Sequence, residues 1–113
     1  MVQRAWTCPT KAIVTGTLLW LLSMAAAQPL AAQDKSRIEA GESVYNDNCA
    51  ACHGDGLRTS GQFFDLRRLT PGDRARFDNS VRNGKGQMPP WKGVLSDEQI
   101  DRIWAYIRSV VDR

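Results

Sequence analysis

Five consecutive residues, Cys49-Ala50-Ala51-Cys52-His53, carry the most specific chemical pattern of this 113-residue chain. Two thiols are separated by two residues and a histidine directly follows the second, which is the spacing of covalent c-type haem attachment. Each thiol can form a thioether with a haem vinyl group, and the imidazole is then placed to bind the iron. The motif therefore predicts one covalent haem c, attached through Cys49 and Cys52, with His53 as an iron ligand.

Three other chemistries would use the same cysteines. A thioredoxin-like redox pair has the same spacing, but it belongs in a βαβ setting, and the sequence shows no convincing strands. A structural zinc site needs four soft ligands, whereas the whole chain has three cysteines and one histidine. A disulfide, or a chance occurrence of the motif, leaves the adjacent histidine unexplained. Haem attachment is favoured over all three.

The beginning of the chain has the composition of a secretory signal peptide. Arg4 and Lys11 precede an apolar run that ends in three alanines at Ala27, and small residues suit signal cleavage. We predict a signal peptide over residues 1–27, with cleavage after residue 32 as a poorer alternative because Leu30 is large for its position. The apolar run is shorter than the roughly 20 residues of a membrane span, so we expect a periplasmic protein with no stable membrane span.

Signal cleavage would change both the charge and the set of possible iron ligands. Loss of Arg4 and Lys11 would lower the formal net charge from +3 to +1. No basic stripe interleaved with aromatic residues is present, so nucleic-acid binding is not expected. The secreted form would keep one histidine, His53, and one methionine, Met88.

The remaining chain predicts an all-α domain over residues 38–113, preceded by a flexible polar lead-in at 28–37. Sustained alternation of apolar and polar residues, the signature of strands, is absent. The predicted helices cover 38–48, which runs into the haem motif, a middle segment that begins at Thr70-Pro71 and stops at Gly84, and a last segment that begins at Ser96. The last segment has apolar residues at three- and four-residue intervals, as an amphipathic helix requires.

Met88 is the strongest candidate for the second iron ligand, because a thioether suits a soft low-spin iron. Pro89 biases Met88 towards extended backbone, and Pro90 does the same for Pro89. We therefore predict a stiff loop that presents the sulfur without support from a helix or sheet. The competing interpretation is a methionine that fills a gap in an ordinary core.

Three separated motifs resemble those of small bacterial monohaem class I cytochromes c. They are Gly41-x-x-x-Tyr45 followed by Cys49 to Gly54, then Asn83 to Pro89, then Leu95-Ser96 to Ile107 with Trp104 inside it. The resemblance covers residues 38–111. It implies a class I cytochrome c fold, in which the first and last helices cross at right angles and a short middle helix and loops wrap the haem. It also implies that Gly41 and Tyr45 meet an aromatic residue of the last helix, expected to be Trp104.

The chain departs from this family pattern in one respect. Many relatives have a proline in the loop after the haem motif, and its carbonyl accepts the second N–H of the proximal histidine. No proline occurs between Gly54 and Thr70. Another loop carbonyl must therefore orient His53, and the sequence does not say which one.

Further residues are expected to contact the haem. Leu66 and Trp91 are the first candidates for its apolar wall, and the others are Phe63, Phe64, Phe77 and Val81. The anionic propionates commonly meet arginine or tryptophan N–H groups, which makes Arg67, Arg68 and Trp91 candidates, although loop arginines are often simply solvated.

An iron ligated by both His53 and Met88 has no open position for a substrate, so we expect a single-electron carrier and not an enzyme. Two alternatives stay open: a haem subunit fixed to one oxidoreductase, and an open-face haem sensor or peroxidase if Met88 is not a ligand. The segment 63–68 resembles stretches in haem domains that serve quinoprotein alcohol dehydrogenases. Expected partners are therefore a periplasmic dehydrogenase as donor and an oxidase or another cytochrome as acceptor.

Charge supports this kind of partner. Between Arg58 and Lys92 there are eight basic residues and three acidic ones. The ordinary explanation is a solvated surface. The sharper hypothesis is a basic rim around the exposed haem edge that steers an acidic partner into place.

Overall fold

The computed structural model describes residues 29–113, so the predicted signal peptide at 1–27 lies outside the described part. Four α-helices are present there: α1 (Leu30–Asn48), α2 (Ala50–His53), α3 (Arg74–Asn83) and α4 (Asp97–Val111). Three single 3₁₀ turns connect them, at Asp55–Leu57, Leu66–Arg68 and Pro71–Asp73. Over residues 29–113 the β-structure consists of two isolated bridges, which confirms the all-α prediction. None of the helices in this range is long and apolar enough to cross a membrane.

The first helix begins earlier than the sequence predicts. The backbone is helical from Leu30, whereas residues 28–37 were expected to be a flexible lead-in. Ala31 and Ala32 have the highest helix propensity of any residue type, and Lys35 lies 3.7 Å from Glu39 one turn later. Residues 30–37 are all exposed, so this part of α1 depends on local propensity rather than on packing.

Helix α1 meets α4 at Gly41. A Cβ atom at this position would lie 1.9 Å from the backbone oxygen of Arg102, so only glycine allows the two backbones to approach this closely. Four residues further along each helix, the rings of Tyr45 and Tyr106 lie 5.3 Å apart. The prediction that Tyr45 meets Trp104 is therefore wrong. A helix presents residues four apart on one face, so the residue of α4 that faces Tyr45 is Tyr106, one turn after Arg102.

Trp104 lies on the α3 side of α4. Its ring centroid is 5.1 Å from that of Phe77. The guanidinium carbons of Arg74 and Arg108 each lie 5.7 Å from the Trp104 ring centroid. Arg108 also donates to the carbonyl of Leu69 at 2.6 Å, so Trp104 and its neighbours connect α3, α4 and the loop before α3.

Both predicted helix starts carry the expected caps. The backbone N–H and the hydroxyl of Thr70 donate to the Asp73 carboxylate at 2.7 and 2.8 Å. Before α4, the Ser96 N–H donates to the Gln99 side chain at 2.9 Å and the Gln99 N–H donates to the Ser96 hydroxyl at 3.1 Å. Each cap satisfies N–H groups that have no partner within the helix.

The core lies between α1, α3, α4 and the turn after the haem motif. Its buried residues are Tyr45, Leu57, Leu69, Phe77, Val81, Leu95, Ile100, Ile103, Trp104, Tyr106 and Ile107. The sequence periodicity predicts the α3 members and, on α4, Ile100, Ile103, Trp104 and Ile107, but not Tyr106. It gives no sign of Leu57, which is fully buried although it lies in a short turn and has a φ of +66°.

Candidate functional site

A cavity of about 390 Å³ lies between the haem motif, the loop that leads to α3, α3 itself, the loop after α3 and α4. Its size falls in the range of small-molecule and cofactor sites. Six of the eight sequence-predicted site residues line it, namely Cys49, Cys52, His53, Leu66, Met88 and Trp91. The predicted wall residues Phe63, Phe64, Phe77 and Val81 also line it. Residues from distant parts of the chain therefore meet around one space.

The haem motif is a single helical turn with tight ends. The Cys49 N–H donates to the Tyr45 carbonyl at 2.7 Å, and the Gly54 N–H donates to the Ala50 carbonyl at 2.8 Å. Gly54 has a φ of +83°, and a Cβ there would lie 2.0 Å from the Arg58 carbonyl oxygen. Glycine is therefore required directly after His53, where the chain must reverse.

Tyr45 joins α1 to this reversal. Its hydroxyl donates to the Gly54 carbonyl at 2.6 Å. Burial, followed by the nearby Cys49, raises the pKa of the Tyr45 hydroxyl, so the group stays protonated and acts as a donor. The first helix thereby fixes the residue that follows His53.

Cys49 and Cys52 do not form a disulfide, so both sulfurs are available for thioether bonds to a haem. Burial is the main cause that raises the pKa of the Cys49 thiol to about 11, and the neighbouring Cys52 adds to it. Within residues 29–113, no group of three or more His, Cys, Asp or Glu side chains is arranged to hold a metal ion.

The carbonyl that orients His53 belongs to Phe64. Nδ1 of His53 lies 3.2 Å from that oxygen. A carbonyl oxygen only accepts hydrogen bonds, so Nδ1 carries the proton and Nε2 is left with the lone pair that a metal needs. This contact answers the question left open by the absence of a proline between Gly54 and Thr70, namely which carbonyl orients His53. A backbone carbonyl has no residue-type signature, so the sequence gives no means of finding it.

The loop behind His53 is held by short-range contacts. The Thr59 hydroxyl donates to the Phe63 carbonyl at 3.3 Å, and the Gly61 N–H donates back to the Thr59 hydroxyl at 3.3 Å. The Phe63 ring centroid lies 6.3 Å from that of His53. Both phenylalanines of this loop therefore support the imidazole, one through its ring and one through its backbone.

Met88 lies in a tight turn that is fixed to α3. Lys85 and Met88 exchange two backbone hydrogen bonds, both of 3.0 Å. A Cβ at Gly84 would lie 2.6 Å from the Met88 carbonyl oxygen, and the Trp91 N–H donates to the Val81 carbonyl at 2.9 Å. The sequence predicts a loop without support from a helix or sheet, but in the structure this loop is supported by α3. The proline pair stiffens it, and α3 anchors both of its sides.

The structure does not bring Arg67 and Arg68 to the cavity lining. Arg67 instead pairs with Asp65, at 3.0 Å through Nε and 2.8 Å through Nη2. The side-chain hydrogen bond from Arg67 is the largest cause that lowers the pKa of Asp65. The Arg67 guanidinium is therefore turned towards its own loop.

Arg76 and Lys85 are the cationic side chains that line the cavity. Both belong to the predicted cluster of basic residues between Arg58 and Lys92, but neither was predicted individually to contact the haem. A signal was available for Arg76, since it lies beside Phe77 and one turn before Ser80 on the same helix, and both of these residues line the cavity. Lys85 is the residue directly after the glycine that ends α3.

The residues of the cavity fit a covalently bound haem. Two free thiols are one helical turn apart, the imidazole next to them has a fixed tautomer, and a thioether lines the same space. The remaining lining is mostly aliphatic and aromatic, with two cationic side chains, Arg76 and Lys85. This donor set, with its apolar surroundings, defines a c-type haem domain.

Comparison with known proteins also identifies a c-type haem domain. The family model described as "Cytochrome C oxidase, cbb3-type, subunit III" matches residues 36–107. The chain therefore belongs to this family of c-type cytochrome domains, and it is a haem-based electron carrier with a covalently bound haem c, not an enzyme. The all-α architecture is that of class I cytochromes c.

The relatives are of several kinds. Cytochrome c6 of Bryopsis maxima is 36% identical over 80 residues, which cover 62% of this chain and 88% of that protein. The cbb3-type cytochrome c oxidase subunit CcoP of Azospirillum sp. is 33% identical over 90 residues, 70% of this chain and 30% of that subunit. The quinohemoprotein alcohol dehydrogenase ADH-IIG of Pseudomonas putida is 33% identical over 81 residues, 70% of this chain and 11% of that enzyme. No solved structure matches the chain significantly.

Proposed function

We propose that this chain is a periplasmic single-electron carrier in which Cys49 and Cys52 attach the haem and His53 and Met88 ligate its iron. The observation that carries the proposal is that these four side chains line one apolar cavity. When bound, the haem supplies a one-electron iron couple, whose potential a thioether ligand raises.

The side chains of the site act by holding their positions. The Phe64 carbonyl keeps the His53 ring in one tautomer and orientation, and the Lys85–Met88 turn keeps the thioether in place. With His53 and Met88 both as ligands, neither redox state would need a ligand to be exchanged. The aliphatic and aromatic lining would keep water from the iron, which favours electron transfer over reaction with small molecules.

Replacement of the methionine tests this ligation. Met88→Ala should open the sixth position, lower the reduction potential and allow the reduced protein to bind carbon monoxide, measured by redox titration and by absorption spectroscopy. Val94→Ala is the matched control, since Val94 is 66% exposed near the same loop and should change neither property. An unchanged potential in Met88→Ala, or rapid carbon monoxide binding by the unaltered protein, would support the open-face sensor or peroxidase instead.

The proposed partners are acidic redox proteins. Arg76 and Lys85 line the cavity, and Lys92 is exposed on the turn that follows Met88. We narrow the basic rim, predicted from the eight basic residues between Arg58 and Lys92, to these three side chains and keep that name for them. The likeness to a quinohemoprotein dehydrogenase and to CcoP supports a periplasmic dehydrogenase as donor and an oxidase or another cytochrome as acceptor.

Electron transfer with such a partner should slow as ionic strength rises, because salt screens attraction between exposed charges. Stopped-flow rates measured over a range of salt concentrations check this. The double variant Lys85→Gln/Lys92→Gln should flatten the dependence, whereas Arg113→Gln at the exposed end of the chain should leave it unchanged. Rates that do not respond to salt would remove the basic rim as a docking feature.

A haem subunit fixed to one oxidoreductase is the second candidate, and the match to CcoP over 70% of this chain favours it. Gel filtration of native extract separates the two candidates. A mobile carrier elutes alone at the size of a small domain, whereas a fixed subunit elutes with its enzyme.

A further inference from the structure

A line of contacts runs from α3 to the imidazole of the haem motif. The guanidinium carbon of Arg76 lies 5.3 Å from the centroid of the Phe64 ring. The carbonyl of the same Phe64 accepts from His53 Nδ1 at 3.2 Å. Phe64 thus touches α3 with its ring and the proposed iron ligand with its backbone.

The Phe64 ring has a cationic partner on α3, since the Arg76 guanidinium lies over its face. A cation over an aromatic face contributes about 0.5–1 kcal/mol at an exposed site. Arg76 is the cation in contact with this ring among the described residues.

Arg76 is itself anchored. Its Nη2 lies 3.2 Å from Oδ1 of Asp73, and the other oxygen of that carboxylate accepts from the N–H and the hydroxyl of Thr70. The guanidinium is therefore tied to the rigid start of the helix and not to a second mobile loop.

We propose that Arg76 is a positioning residue that acts through Phe64: it holds the Phe64 peptide against His53 and so sets the strength of the His53 Nδ1 hydrogen bond. The inference rests on the proposed ligation of iron by His53. A stronger hydrogen bond at Nδ1 makes the imidazole a more basic ligand, which stabilises ferric iron. Loss of the contact should therefore raise the reduction potential.

This rise in the reduction potential is opposite in sign to the change expected from the loss of a positive charge alone. A cation near the haem favours the reduced state, so its removal alone lowers the potential. Lys85 also lines the cavity, but the cation over the Phe64 ring is Arg76. Lys85→Gln therefore measures the charge effect by itself and is the matched control for Arg76→Gln.

The test compares Arg76→Gln, Phe64→Leu and the double variant in the haem-loaded protein. Phe64→Leu keeps the carbonyl, removes the aromatic face and should raise the potential without any change of charge. Arg76→Gln should shift the potential to a more positive value than Lys85→Gln does. When Phe64→Leu is already present, Arg76→Gln should only lower the reduction potential through its loss of positive charge. The rise in potential should be absent, because Arg76 acts on His53 through Phe64.

The His53 ring N–H proton gives a second readout that does not depend on the potential. Its exchange with solvent, followed by NMR of the reduced protein, should become severalfold faster in Arg76→Gln and in Phe64→Leu and stay unchanged in Lys85→Gln. If Arg76→Gln does not retain haem, the reduction potential and the ring-proton exchange are both measured on Phe64→Leu.

The inference is overturned if Arg76→Gln and Lys85→Gln shift the potential alike, if the two substitutions are additive, or if ring-proton exchange does not change. Arg76 would then act only as a charge beside the cavity. Failure of the proposed function is recognised separately, because the unaltered protein would then lack the low-spin spectrum of histidine and methionine ligation.

Discussion

At the scale of single residues, Tyr45 shows how α1 contributes to the site although Tyr45 neither attaches the haem nor ligates its iron. Its ring is fully buried against Tyr106, and its hydroxyl reaches the carbonyl of the glycine that follows His53. One side chain therefore joins the helix contact to the reversal of the chain after the haem motif.

Tyr45→Phe should lower the free energy of unfolding by about 1–3 kcal/mol, because it leaves the Gly54 carbonyl without its side-chain donor. Urea denaturation of the haem-loaded protein measures the change. Tyr106→Phe is the control, since the hydrogen bonds of residues 29–113 include none from the Tyr106 hydroxyl. Equal losses in the two variants would mean that the Tyr45 hydroxyl has no special part in the turn.

The same scale shows why the sequence marks some residues around the cavity and not others. Cys49, Cys52 and His53, which line the cavity, stand out in the sequence because covalent attachment demands particular atoms at a fixed spacing. Arg67 and Arg68 were chosen from residue type alone, and Asp65 two residues before Arg67 takes up the first of them. The contribution of Phe64 comes from its backbone, which every residue shares, so no sequence pattern marks it.

At the scale of elements, the contact between α1 and α4 depends on one glycine. Gly41→Ala would place a methyl group within 1.9 Å of the Arg102 carbonyl oxygen, and backbone on both sides must move to accept it. We expect a loss of about 1–3 kcal/mol in the free energy of unfolding, measured by urea denaturation.

Gly72→Ala is the matched control for this substitution. A Cβ at Gly72 would lie 3.8 Å from its nearest neighbour, the Thr70 hydroxyl oxygen, which is ordinary contact distance. Its stability should stay within about 0.5 kcal/mol of the unaltered protein, as at surface sites generally. If Gly41→Ala behaved in the same way, the two helices would not be in close backbone contact.

At this scale, helix starts that carry capping residues were predictable from the sequence. The start of a helix that depends on helix propensity alone was not. The capping groups of Thr70-Asp73 and Ser96-Gln99 are close in sequence, and the structure contains both. The early start of α1 at Leu30 has no cap from a side chain. Aromatic pairing across helices was also out of reach, because the choice between Trp104 and Tyr106 depends on how α4 is rotated.

At the scale of the whole molecule, the core and the cavity share their residues. Tyr45, Leu69, Phe77, Val81, Ile103 and Ile107 are buried core residues that also line the cavity. Without a cofactor the apolar side chains around this space of about 390 Å³ would face water, which costs free energy in proportion to the apolar area exposed. The cofactor is therefore expected to be part of the core.

Removal of the haem should therefore abolish cooperative folding. Cys49→Ala/Cys52→Ala makes the haem extractable with acidified solvent, and the haem-free protein should show a broad thermal transition by circular dichroism instead of a sharp one. The haem-loaded unaltered protein is the reference. A sharp transition in haem-free protein would show that the polypeptide core is sufficient without its cofactor.

The ferric absorption spectrum tests the central claim most directly, namely that His53 and Met88 ligate one haem iron within this cavity. A thioether bound to ferric haem iron gives a weak long-wavelength sulfur-to-iron charge-transfer band. We predict this band in the purified unaltered protein and its loss in Met88→Ala. A ferric spectrum of the unaltered protein without the band, or a band that persists in Met88→Ala, would contradict the account.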